Sequence, residues 1–200
     1  MADIVLTGDT SGAITVAAPA VAGTNTLTLP ASTSTIATTA DVNALTTGKI
    51  LQVLQSVKTD TFTTTNTAFQ IPSGLSVAIT PSSTSSKILV MVTTQFAVDA
   101  DNGHGYAILQ RDGTVILQGD AAGSRPRTYV AQNNFGSNAP PNYQLVALDS
   151  PSTTSAVTYS LGVRSSNATT VYLNRSVRDN NGTGFDGRSA STIIVMEVAG

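Results

Sequence analysis

The chain has one histidine, His104, one glutamate, Glu197, and no cysteine in 200 residues. These counts bound the chemistry before any fold is considered. A serine triad would need His104 as its base, beside a serine and a carboxylate, and no Gly-x-Ser-x-Gly turn accompanies it. His104 lies in Asp99-Ala-Asp-Asn-Gly-His-Gly-Tyr-Ala107, a turn entering a strand, where an ordinary surface imidazole is expected. One histidine cannot build a histidine metal cluster, and a chain without cysteine has neither thiolate sites nor disulfides.

Oxygen ligands remain. Asp99, Asp101 and Gly103 are spaced like the start of a calcium loop, but Gln110 stands where the closing bidentate glutamate belongs. Asp179, Asn181, Thr183 and Asp186 form a second oxygen-rich loop without the full pattern. Asx turns favour the same residues, so both segments read as turn chemistry and no metal, cofactor or catalytic residue is assigned. Asp99, Asp101, Asp179 and Asp186 are the carboxylates that a hydrolase would have to bring together. Asn167-Ala-Thr, Asn174-Arg-Ser and Asn181-Gly-Thr match the glycosylation pattern, as a Ser/Thr/Asn-rich chain does by chance.

Glu197 shares a strand face with Ile193 and Val195. A carboxylate there is costly unless it is paired. Arg175, Arg178 and Arg188 are the candidate partners. The simpler expectation is a strand end open to water, close to Gly200.

Charged residues make up 11% of the chain, less than half the usual share, with 10 basic against 12 acidic side chains. Such a surface has no electrostatic footprint for nucleic acid. The ten aromatic residues include no tryptophan, which gives a sugar platform little support. Asp3 stands where a secretory signal would be basic, and no apolar run nears the roughly 20 residues a membrane helix needs. Neither a signal peptide nor a membrane partner is therefore expected.

The elements that must position these residues are strands. Helical periodicity is nearly absent, apart from a short turn over Val42–Leu45 that Asp41 could cap. In residues 1–47, three short strands are expected at Ile4–Thr7, Ala13–Ala17 and Thr26–Leu29. A sheet this small is marginal in water, so this segment reads as an arm ordered by partners. Residues 48–200 form the body. Its strands are expected at Ile50–Val57, Ala68–Ile71, Leu75–Ile79, Lys87–Val98, Gly105–Gln110, Thr114–Gln118, Tyr143–Leu148, Ala156–Val163, Thr170–Arg175 and Ser191–Val198. Asp112-Gly113 marks a tight hairpin turn. About ten short, turn-punctuated strands predict an all-β antiparallel sandwich or jelly roll. Lys87–Val98 and Ser191–Val198 are apolar on both faces, so they are expected to be central and covered on both sides. This is more apolar strand than one small sandwich needs, and it predicts a homotrimer with Ile193 to Val198 at the axis.

The arm, GDTSGAITVAAPAVAGTNTLTLPASTSTIA followed by TTADV, resembles a segment that recurs in tailed-bacteriophage structural proteins. The body, through GKILQVLQSVKTDTFTTT, LSVAITPSSTSSKILVMV and GRSASTIIVMEV, resembles a companion domain of marine and cyanobacterial phage virion proteins. It is also similar, in strand spacing and apolar terminal strand, to trimeric jelly rolls of the tumour-necrosis-factor and complement-head type. The resemblance implies a non-enzymatic virion component, on the capsid exterior or in a tail appendage. In this reading the arm anchors the chain to the major capsid protein or another virion protein. Capsid decoration, cement or head fibre is the leading expectation. A short tail fibre touching the host surface is the alternative. A lectin-like module or depolymerase, with a host surface glycan as partner, is the third.

Overall fold

The computed structural model describes residues 4–7, 13–16, 48–99, 103–133, 140–182 and 184–200. The chain divides into two compact units, Met1–Val42 and Asn43–Gly200. In the first, β1 (Ile4–Thr7) and β2 (Ala13–Val16) pair antiparallel, with Ile4 opposite Val16 and Leu6 opposite Ile14. The expected strand Thr26–Leu29 and the Asp41-capped turn lie outside the described residues.

The second unit is an antiparallel all-β sandwich, as the strand spacing predicts. Eleven strands form two sheets, and no helix occurs among the described residues. They are β3 (Ile50–Lys58), β4 (Phe62–Thr64), β5 (Ser76–Ile79), β6 (Lys87–Asp99), β7 (Gly105–Arg111), β8 (Thr114–Leu117), β9 (Val130–Gln132), β10 (Asn142–Asp149), β11 (Val157–Ser165), β12 (Thr170–Leu173) and β13 (Ser191–Val198). The larger sheet runs β3-β13-β6-β12-β4, with β10 also paired to β6. The smaller runs β5-β11-β7-β8, with β9 also paired to β7.

Local chemistry sets the boundaries. Asp112 and Gly113 take positive φ of 48° and 80°, as a two-residue primed hairpin turn requires, and join β7 to β8. β12 stops at Leu173 rather than Arg175, because Asn174 adopts a left-handed φ of 58° and donates its amide to the Lys58 and Asp60 carbonyls. The segment Ala68–Ile71 is not a strand but a single bridge from Gln70 to Val163. There the Asn66 side chain accepts the Ala68 N–H, and the Thr64 hydroxyl accepts the Asn66 N–H, so side chains take donors that a ladder would use. β4 and β9 are three residues each, too short for alternation to register in sequence.

The core lies between the sheets. It joins Ile88, Val90, Val92, Phe96, Leu145, Ile193 and Val195 of the larger sheet to Leu109, Tyr159, Leu161 and Val163 of the smaller. Phe96 stacks on Tyr143 with ring centroids 4.6 Å apart. A polar staple also crosses the sandwich. Asp149 of β10 accepts the Tyr159 hydroxyl of β11 at 2.7 Å and pairs with Arg111 of β7. Burial first, then this carboxylate, push the Tyr159 phenol far above its ordinary value, so it stays a donor.

The expectation that both long apolar strands are covered on two faces is corrected. β13 alternates strictly, with Ser191, Ile193, Val195 and Glu197 buried and the residues between them only half-buried. In β6, Ile88, Val90, Val92 and Thr94 are buried, whereas Met91 is 39% exposed. β13, and β6 from Lys87 to Gln95, have one core face with the second face open outward, whereas Phe96, Ala97 and Val98 at the far end of β6 are buried on both faces. Of the side chains from Ile193 to Val198, Ile194, Met196 and Val198 face outward, because Ile193, Val195 and Glu197 point into their own core. Ile193→Ala is expected to cost about 2–5 kcal/mol of unfolding free energy. Ile194→Ala, one residue along, should cost the isolated fold about 1 kcal/mol or less. Urea melts of the two variants check this register directly.

Candidate functional site

The outward face of the larger sheet is built by register. One row runs Val53, Met196, Leu89, Leu148, and the next runs Gln55, Ile194, Met91, Val146. Val57, Thr192, Thr93 and Gln144 form a third row, and Ile50 lies opposite Val198, which lies opposite Lys87. Of these, Ile50, Val53, Val57, Met91, Val146 and Leu148 are between 39% and 58% exposed. Lys87 is the only charge among the residues named. Strands about 4.8 Å apart and side chains repeating about every 7 Å give these fifteen positions a projected area of about 500 Å², with Gln55, Thr192, Thr93, Gln144 and Lys87 as the polar third of it. The apolar two thirds, about 340 Å², is the size of the largest apolar patch on a typical monomer, about 300–600 Å², and such patches are often functional.

Behind that face, Glu197 is fully buried. It meets none of Arg175, Arg178 and Arg188, and it is not wet, which corrects both sequence expectations. Oε1 accepts the Ser82 N–H at 2.7 Å and the Ser82 hydroxyl at 2.6 Å, and Oε2 accepts Gln52 Nε2 at 2.6 Å. Burial alone would raise its pKa. The donors Ser82 and Gln52 outweigh that, and Ser86, buried beside them without a conventional hydrogen bond, adds to the pull, so the value falls to about 2. Dipoles, not a cation, hold this anion. The Ser82–Ser86 turn is thus pinned to β13, and the amide of Gln52 on β3 also bonds the Thr80 carbonyl.

The loop after β12 uses the three arginines elsewhere. Asp186 accepts the Ser176 hydroxyl at 2.6 Å and Arg178 through Nε at 2.9 Å and Nη2 at 2.7 Å. Ser176 first, then Arg178, hold it below the usual carboxylate range. Asp179 pairs with Arg188 at 2.9 Å and Arg175 at 3.3 Å. The carboxylates weighed as metal ligands are therefore arginine partners, while Asn181 lines the loop's cavity and Thr183 lies outside the described residues. Asn174 is fully buried and bonded at both ends of its amide, its oxygen to Ser191, so that glycosylation match is inaccessible.

At the other end of β12, Asp99 faces Thr170 and is reached by the Tyr172 hydroxyl at 3.4 Å. Asp101 lies outside the described residues. Asp99 and the Asp179–Asp186 loop thus sit at opposite ends of one strand, not in one pair. His104 is exposed and stacked 6.2 Å from Tyr106, a ring that the Arg164 guanidinium also covers at 4.5 Å, and the Ser166 hydroxyl accepts the His104 backbone N–H at 3.0 Å. Among the described residues, no three His, Cys, Asp or Glu side chains converge. Sequence reasoning missed the donors of Glu197, because Ser82 and Gln52 are 115 and 145 residues away.

No protein-family model and no curated protein matches this chain.

The buried carboxylate yields a signed prediction. Its folded pKa of about 2 lies below its ordinary 4.5, so its stabilisation is full above pH 4.5 and is lost as pH falls towards 2. Glu197→Gln would turn an amide NH₂ towards existing donors. It should lower stability at pH 7 by about 1–3 kcal/mol and flatten the acid limb between pH 4.5 and 2. Denaturation midpoints across that range check both parts.

Proposed function

We propose that the chain is a non-enzymatic structural protein of a tailed-phage virion that acts as a homotrimer, with capsid decoration as its role. The observation that carries this reading is the largely apolar outer face of the larger sheet, where Lys87 is the one charge among the residues named. A face nearly without charge offers little to a nucleic acid or a strongly charged partner. It suits identical apolar rows on other copies of the chain, where shape and apolar area supply the contact. Identical chains usually close into rings, and the similarity to trimeric jelly rolls favours three copies.

The remaining features are consistent with assembly. The Thr- and Ser-rich surface suits repetitive contact, and the N-terminal segment serves as the virion anchor in this reading. Many decorating copies act together, because each bound trimer adds linkage stability to the shell it spans. The second reading, a tail appendage contacting the host, is favoured by one observation, the 69% exposed Phe185 on the braced loop.

Light scattering of the purified chain at micromolar concentration should give three times the 20.4 kDa chain mass. Ile194→Asp should return the mass to one chain while far-UV circular dichroism is retained, since a buried unpaired charge costs several kcal/mol only in the assembly. A stable monomer of the natural sequence overturns the trimer. On particles, omission of the protein should lower the temperature of DNA release. Unchanged release with lost host adsorption would favour the tail reading.

A further inference from the structure

We propose that the loop between β12 and β13 is a saccharide-binding site centred on Phe185. The loop is braced from within. In a chain with only 22 charged residues, five fall between Arg175 and Arg188, and their ion pairs all stay inside this segment. Asp186, its side chain 1% exposed, ties Ser176 to Arg178, and the Ser176 hydroxyl also accepts the Asp179 N–H at 3.0 Å. Arg175 packs over the Tyr172 ring at 4.5 Å, and Asn174 clamps the loop's root to the Lys58 and Asp60 carbonyls. Asp179 and Asp186 take positive φ of 50° and 63°, conformations held by these contacts.

What this bracing presents is Phe185, 69% exposed, with the Arg178 guanidinium 5.5 Å from its ring centroid. Beside it opens a cavity of about 500 Å³, lined by Arg178, Asn180, Asn181, Gly182, Phe185 and Asp186. A pre-organised site reduces the ordering cost of binding. A lone exposed phenylalanine is unremarkable. One at the edge of a cavity lined otherwise by the Asn180 and Asn181 amides, the Arg178 guanidinium, Gly182 and Asp186 is a recognition surface.

The lining selects among ligands. An apolar peptide would need more than one apolar side chain. A phosphate would need an unengaged arginine, and Arg178 gives two N–H groups to Oδ2 of Asp186 while Arg175 and Arg188 share Asp179. A pyranose ring fits, with an apolar face to lie on Phe185 and hydroxyls for the Asn180 and Asn181 amides, each of which both donates and accepts. With every arginine of the loop engaged by an aspartate, neutral sugars are the expected ligands, and polygalacturonate serves in the test as the acidic comparison. The inference stands whether or not the chain is a virion protein. In a trimer, three such loops would convert weak single contacts into useful avidity.

The test is affinity electrophoresis of the full chain through gels containing dextran, mannan, galactan or polygalacturonate. At least one polymer should retard the natural chain. Phe185→Ala should weaken that retardation at least tenfold, Phe185→Trp should preserve it, and Asn181→Ala should weaken it severalfold. Phe185→Ala should melt at the same temperature as the natural chain, since the side chain is largely exposed. Absence of retardation by all four polymers, or equal retardation of Phe185→Ala, overturns the proposal. Light scattering in the same buffers separates this result from failure of the trimer.

Discussion

The two-residue period of β13, held in register between β3 and β6, is the constraint on which the rest of the larger sheet depends. Ile193 and Val195 enter the core only if Ile194 and Met196 face outward. A slip of β13 by one residue would expose Ile193 and Val195 and turn Ile194 and Met196 inward, while turning Glu197 away from its donors. Because β6 is paired along most of its length, this choice propagates to β10, and the outer rows line up across four strands. The apolar outer face is thus a consequence of the same register that builds the core.

Glu197 fixes that register chemically. A carboxylate buried without a cation is tolerable only where enough donors converge, and here Ser82 and Gln52 supply them. The site joins β13, β3 and the turn before β6. Only one position along β13 meets these donors, so the polar contact selects what apolar packing alone would leave degenerate. The Asp149–Tyr159 pair plays the complementary part between the sheets, tying the end of β10 to β11.

Much of the fold is legible in the sequence because strand alternation and turn residues are local signals. Asp112-Gly113, the run from Lys87 and the run from Ser191 announce their structures directly. Single-face burial is not local. The sequence Lys-Ile-Leu-Val-Met-Val reads as apolar on both sides, and only packing against the second sheet decides that Ile88 and Val90 face the core and Leu89 and Met91 face outward. The polar networks were illegible for another reason. Arg175, Arg178 and Arg188 were visible as cations and Asp179 and Asp186 as oxygen ligands, but their mutual pairing depends on left-handed turns that composition does not encode. The same pairing converts an apparent metal loop into a brace beneath Phe185, a residue with no sequence signal of its own.

The central claim is that the outer face of the larger sheet is covered by other copies of the chain. With no native cysteine, a single introduced thiol reports on it without ambiguity. Met91, on that face, and Leu117, on β8 of the other sheet, are 39% and 41% exposed in the single chain, so cysteines at the two positions start from the same accessibility. The measurement is the rate of maleimide labelling of Met91→Cys against Leu117→Cys as protein concentration is varied. Protection of position 91 by tenfold or more at micromolar concentration, fading on dilution, is the result this account predicts. Equal rates at every concentration would contradict it.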